Sequence, residues 1–175
     1  MKKLFGTLII LLGLASVASA QRYAYVDTQY ILDNVPDYQD AQEELDKLAE
    51  DWMKEIESAF GLVEQKRQEY ETEKILLPEE IKTQRLKEIN QLEAEARSLQ
   101  KQRFGVGGDL FLKREELVKP IQDQIFNAIQ SIAEERNFAF VFDKANQSNL
   151  LYADPKYDIS DQVLRKMGIK VDNRN

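Results

Sequence analysis

From Asp37 to Arg103 the chain carries a narrow apolar stripe through a dense field of charge. Tyr38, Ala41, Leu45, Leu48 and Trp52 alternate at three and four residues, the spacing of a coiled-coil seam. One further four-residue step reaches Ile56 and shifts the phase, and Ala59 and Val63 resume it. Such an insertion locally unwinds a supercoil without ending the helix. A second stripe follows in Leu86, Ile89, Leu92, Ala96 and Leu99, and between the two stands Ile75-Leu76-Leu77-Pro78-Glu79-Glu80. Proline suits a first helical position, where its missing N–H would have no partner, and glutamates suit the positive end of the helix dipole. The pattern predicts two antiparallel helices forming an arm over residues 37–108, with its tip near 75–80. At about 1.5 Å of rise per residue, each helix would reach roughly 50 Å.

On either side of this arm the period changes. Residues 22–27 alternate large and small apolar side chains, as a short strand does, and 138–142 are apolar throughout, as in a strand covered on both faces. Residues 149–153 form a third candidate strand after the polar turn at 143–148. The sheet would pair the N-terminus with the region beyond the arm. Thr28 is placed to cap a short helix reaching Asn34, and Pro36 to open the long one. Asp158 is placed to cap a terminal helix over about 159–167, with Gly168 just past its end. A returning helix with Val118, Ile121, Ile125, Ala128 and Ile132 on one face would cover the strands. The fold class expected is mostly α with a small β body, the body being 21–36 with 109–175 and the arm a long antiparallel hairpin.

Gly105, Gly107 and Gly108 interrupt the returning helix, and Pro120 falls inside it. Glycine costs about 1 kcal/mol in a helix and proline about 3, so neither is neutral filler. If the hairpin turns near residue 76.5, these glycines lie opposite about residues 45–48. Two readings stay open: a hinge on which the arm swings, or a fixed break with Asp109 capping the second helix. A phosphate loop is excluded, because Leu110 stands where the third glycine would be and no strand precedes it.

The first twenty residues form a complete export signal: Lys2 and Lys3, an apolar run from Leu4 to Val17, then Ala18-Ser19-Ala20. The run is shorter than the roughly 20 residues of a comfortable membrane span, so cleavage after Ala20 is expected; the alternative is an uncleaved anchor. The mature protein is placed in a periplasm. The chain has no cysteine, so it has neither disulfides nor a lipidated cysteine, and no histidine. The usual general base, zinc ligands and thiol nucleophiles are therefore missing. With its carboxylates scattered over helix surfaces, the chain is read as a non-enzyme with no metal and no cofactor. Without Lys2 and Lys3, 22 basic residues face 31 acidic ones, a net charge of −9 that argues against nucleic-acid binding. The acid is uneven. Asp37 to Glu57 holds nine carboxylates against Lys47 and Lys54, whereas Gln65 to Arg103 holds nine basic residues against eight acidic. Fewer than 90 residues remain for the body, a size at which burial is only moderately efficient, so association is expected.

The ends of the mature chain resemble a known family. Tyr23-Ala24-Tyr25-Val26-Asp27, Phe140-Val141-Phe142-Asp143-Lys144-Ala145, Leu151-Tyr152 and Asp158 to Leu164 are similar to the opening strand, closing strands and last helix of the Skp/OmpH periplasmic chaperones. The resemblance implies a homotrimer in which three sheets form a barrel-like body and three arms surround a cavity, with Tyr25, Val26, Phe140 and Phe142 in or beside the associating strands. It implies an ATP-independent holdase whose partners are unfolded outer-membrane proteins. Such clients expose alternating apolar side chains and aggregate through open strand edges. Met53, Phe60, Leu62, Ile75, Leu76 and Leu77 lie off the seam and are candidate client contacts, or else part of the hairpin's own packing. Known members are strongly basic and this chain is acidic, so lipopolysaccharide binding is not carried over and membrane-surface contact is left open. The alternative from another class is a structural or adaptor coiled coil of the envelope, docking a defined partner through a compact patch.

Overall fold

The structure is a computed structural model that describes residues 22–145 and 151–171. The expected signal segment lies outside the described residues. Two compact units are present, one made from the two ends of the chain, up to Asn34 and from Ile125 onward, and the other Val35–Gln124. The division therefore falls at Ile125 and not at 109, and the first half of the returning helix belongs with the hairpin.

In the first unit, strand β1 (Arg22–Val26) leads to helix α1 (Thr28–Asp33). The cap is Asp27 and not Thr28: the Asp27 carboxylate accepts the Tyr30 N–H at 3.0 Å. Thr28 has another partner, since its N–H and hydroxyl both donate to the Asp143 carboxylate, at 3.1 and 2.7 Å. Strand β2 (Phe138–Asp143) runs parallel to β1, with Tyr23 opposite Phe140, Tyr25 opposite Phe142 and Val26 opposite Asp143. A parallel pair needs a long crossover, here all the intervening helices. Asn137, at φ 54°, turns the chain from helix into β2 in a single residue, a conformation asparagine tolerates better than most.

Of the third strand expected over 149–153, residues 149–150 lie outside the described residues, and Leu151–Ala153 have no strand pairing. The chain touches the sheet later, where Asp158 bridges Tyr25 and the Ile159 N–H donates to the Tyr25 carbonyl at 3.0 Å. A short 3-10 turn (Pro155–Tyr157) precedes the last helix, Ser160–Lys166, which we label α5 below. Its N-cap residue is Ile159, while the Asp158 carboxylate accepts the Ser160 N–H at 2.9 Å, and Gly168 follows the helix at φ +83°. Ala24, Tyr25, Val26, Ile31, Ile159, Val163 and Leu164 form the core of this unit. Ser160 is buried among them and satisfied, because its hydroxyl accepts the Asp27 N–H at 2.9 Å and donates to Asp158.

The second unit is the hairpin. Pro36 opens α2 (Pro36–Glu73), residues 74–78 turn, and α3 (Glu79–Phe104) returns, so the tip lies where the sequence places it. Pro78, expected as the first helical residue, is the N-cap, and the helix begins one place later with Glu79 and Glu80 in its first turn. Ala41, Leu45, Ile56 and Val63 of α2 and Ile89 and Ala96 of α3 are buried, as the seam requires, but Leu86 is exposed. Helix α4 (Asp109–Arg136) follows the glycine break. All five positions of its expected stripe, from Val118 to Ile132, are buried, and Pro120 sits on its exposed side. Among the described residues no helix is long and apolar enough to cross a membrane.

Candidate functional site

Six off-seam residues of the hairpin are the sequence's candidates for binding. Ile75 and Leu76 are 85% and 86% exposed, Met53 and Leu62 are also exposed, and Phe60 and Leu77 are half-buried. The backbone explains the tip. Lys74 N–H donates to the Tyr70 carbonyl at 2.8 Å, Leu76 N–H to Glu73 at 2.9 Å and Lys82 N–H to Pro78 at 3.0 Å. The turn is thus closed by main-chain bonds, and the Ile75 and Leu76 side chains are not spent on closing it. Met53, Phe60 and Leu62 lie on α2 rather than at the tip, so the candidates form a scattered set and not one pocket.

Charge on the outer hairpin is largely paired. Arg67 reaches across to Glu93 at 2.9 Å, Arg97 donates to the same carboxylate at 2.7 Å, and Lys82 meets Glu79 at 2.7 Å. Hydrogen bonding from Arg97, then its charge and that of Arg67, holds Glu93 below the usual carboxylate range. Hydrogen bonds from Gln65 and Lys66 do the same for Glu69. Nearer the start of α2 the acid is in excess. Lys54 lies 3.9 Å from Glu50 and 4.0 Å from Asp51, and cross-helix pairs tie Glu44 to Lys113 at 3.6 Å and Glu55 to Arg103 at 3.2 Å.

The glycine break is tightly specified. A Cβ on Gly105 would stand 2.3 Å from the Lys101 carbonyl oxygen, one on Gly108 2.6 Å from that of Gln102, and Gly107 has φ +70°. No other residue type fits all three places, because the loop folds back on the last carbonyls of α3. Just before the break, Phe104 contacts Trp52 and Arg103 contacts Glu55, positions further along α2 than counting from the tip gives. Around it lies an apolar hollow of about 510 Å³ bounded by Phe104, Val106, Leu110, Phe111 and Arg114. Val106, Phe111 and Leu112 are exposed there. They were missing from the sequence's candidate set, although three successive apolar residues, Leu110-Phe111-Leu112, cannot all face one seam.

The association candidates divide. Tyr25 and Val26 are buried within their own chain, whereas Phe140 and Phe142 are 59% and 48% exposed and stack with centroids 6.2 Å apart. The expectation of a strand covered on both faces therefore fails for β2 in the single chain. Among the described residues β2 pairs only with β1, which leaves its other edge open. Tyr23, also exposed, lies 5.1 Å from the Tyr157 ring beside a cavity of about 400 Å³ that Phe142 and Tyr152 also line.

Comparison with known proteins agrees with this architecture. The family model described as "Outer membrane protein (OmpH-like)" matches residues 22–167. An uncharacterized protein of Aquifex aeolicus (strain VF5) is 30% identical over 167 residues, covering 95% of this chain and 96% of its own. Among solved structures, a candidate outer membrane chaperone (OmpH-like) from Caulobacter crescentus CB15 superposes with a TM-score of 0.68. It covers 90% of each chain at 10% identity, a likeness of fold.

Proposed function

Because the chain belongs to the OmpH-like family, we propose that it is an ATP-independent periplasmic holdase that binds unfolded outer-membrane proteins and keeps them from aggregating. The observation that carries this reading is the distribution of exposed apolar side chains on the hairpin: Met53, Leu62, Ile75 and Leu76 are dispersed along a charged surface. A holdase gains affinity from many weak apolar contacts, each worth a fraction of the roughly 1.5–3 kcal/mol of full side-chain burial. A defined docking partner calls instead for one compact anchor cluster. The chaperone description of the Caulobacter protein supports the same reading. We place the mature N-terminus at Gln21. The working form is a homotrimer joined through the face that carries Phe140 and Phe142 and the open edge of β2.

The test mixes the purified protein, without nucleotide, with several unrelated outer-membrane barrel proteins diluted from denaturant, and follows light scattering. Suppression for all of them is expected. Contacts of Arg67 with Glu93 and of Arg103 with Glu55 fix the register of the two helices of the arm, so deleting Leu62–Ala96 shortens both helices in step. The shortened protein should keep its oligomeric state and lose most of its holding activity. Equal protection by the shortened protein would make the structural-adaptor reading the better one.

A further inference from the structure

The joint between α3 and α4 contains almost nothing that packs. Gly105, Gly107 and Gly108 have no side chains, and Val106 faces water. The shortest side-chain bond across the joint is made by one guanidinium. Arg103, in the last turn of α3, donates from Nη1 to the Asp109 carboxylate at 2.7 Å, in the first turn of α4. From Nη2 it donates to Glu55 of α2 at 3.2 Å, and it lies 4.9 Å from the centroid of the Trp52 ring, also on α2. Phe104 meets the same ring edge-on, with centroids 6.4 Å apart. Gln102 adds a longer bond to the same Asp109 carboxylate, at 3.4 Å. Three helices thus meet at one side chain. Its Nε is buried and makes no hydrogen bond, so the group is placed for its two outer nitrogens at the expense of the inner one.

We propose that Arg103 is a positioning residue, a salt-releasable latch that holds the glycine joint shut and fixes the direction in which α4 leaves the hairpin. The glycines set the one path the loop follows but add no apolar burial that would keep it there. The latch bonds are charge-assisted and planar, which suits arginine and not lysine. They are also partly open to solvent: the side chains of Arg103, Asp109 and Glu55 keep 23%, 31% and 47% of their exposure. Pairs of this kind weaken as the Debye length shrinks from about 10 Å at 0.1 M salt to about 3 Å at 1 M. The sequence's two readings of the glycines, hinge and fixed break, then become the two states of one device. The proposal does not depend on what the protein binds.

The chain supplies its own reporters. Trp52 is its one tryptophan, and the absence of cysteine lets labels go where they are wanted. Ser98→Cys on α3 and Glu115→Cys on α4, spin-labelled in the full mature chain and diluted with unlabelled protein, measure the joint directly. At low salt the distance distribution should be narrow and Trp52 shielded from acrylamide. At 1 M salt the distribution should broaden and quenching should rise. R103Q should show the broad distribution at both salt concentrations, with the salt response of Trp52 lost and helical circular dichroism kept, while R103K restores the narrow form only in part. A narrow distribution in R103Q, or a broad one in the unmutated protein at low salt, overturns the latch. Should R103Q not fold, the unmutated protein decides alone: a distribution still narrow at 1 M salt overturns the proposal, and broadening supports it.

Discussion

Phe140→Asp is the substitution that best separates the fold of one chain from its association. In the single chain Phe140 is 59% exposed and stacked on Phe142, itself 48% exposed, so neither ring belongs to the core formed by Ala24, Tyr25, Val26, Ile31, Val163 and Leu164. Full burial of such a ring is worth about 1.5–3 kcal/mol. The half still facing water then offers about 1–1.5 kcal/mol per ring on association, or about 6–9 kcal/mol over two rings in three protomers. Aspartate removes that gain for one ring and buries an unpaired charge, at a cost of several kcal/mol more per protomer. Since about 1.4 kcal/mol is a tenfold change in a constant, the trimer should be lost at micromolar concentration. Light scattering should report one-third of the unmutated mass, with helical circular dichroism retained. An F140D protein of unchanged mass, or an unmutated protein that is a folded monomer, would refute the assignment of this face.

Four further outcomes are expected. Ile75→Ser with Leu76→Ser should leave stability within about 0.5 kcal/mol, because both side chains face water, and weaken client binding about tenfold; unchanged affinity in a binding titration would move the client surface away from the tip. Gly107→Ala places a Cβ at φ +70° and should cost about 1–2 kcal/mol, so a thermal midpoint equal to the unmutated protein's would show that the joint relaxes freely. Intact-mass measurement of the exported protein should begin at Gln21, and a retained Met1 would reverse the export reading. Because the net charge of the mature chain is −9, complexes with basic clients should weaken as salt rises while those with acidic clients change little; the opposite order would exclude steering by the acidic surface.

The seam was legible because it depends on local spacing alone. Ala41, Leu45, Ile56, Val63, Ile89 and Ala96 are buried where three–four periodicity puts them. Leu86 belongs to the same stripe and is exposed, since a helix with a single facing neighbour buries only the centre line of its stripe. The cap of α1 was misplaced by one residue for a different reason. Asp27 and Thr28 are both good caps, and the choice is made by Asp143, 115 positions along the chain, which takes the Thr28 hydroxyl. Ser160 was invisible for the same reason, its partner Asp27 lying 133 positions away. Counting from the tip misses the stagger of the two helices, which cross-helix pairs such as Arg103 with Glu55 reveal. Of the candidate surface, Ile75 and Leu76 could be found from sequence, the run Leu110-Phe111-Leu112 signalled that Phe111 or Leu112 must leave the seam, and Val106 carried no such signal.

Pairing of charge gives the scattered apolar groups a physical setting. On the outer hairpin Arg67, Arg97 and Lys82 are engaged by Glu93 and Glu79; Arg97 and Arg67 favour the charged form of Glu93, and Gln65 and Lys66 that of Glu69. That surface presents little net field, and on the proposed holdase reading its isolated apolar side chains would hold unfolded chains by composition and not by sequence. Nearer the start of α2, nine carboxylates between Asp37 and Glu57 meet only Lys47 and Lys54 within that stretch, with Lys113 and Arg103 reaching in from other helices. There the field is strong and negative, and it acts at longer range than any apolar contact. Excess acid and paired charge thus occupy different lengths of the same hairpin, with Met53 exposed on the first and Ile75 and Leu76 at the far end of the second. On the proposed holdase reading, the charge of the hairpin governs how often a client is met and its dispersed apolar groups govern how long it stays.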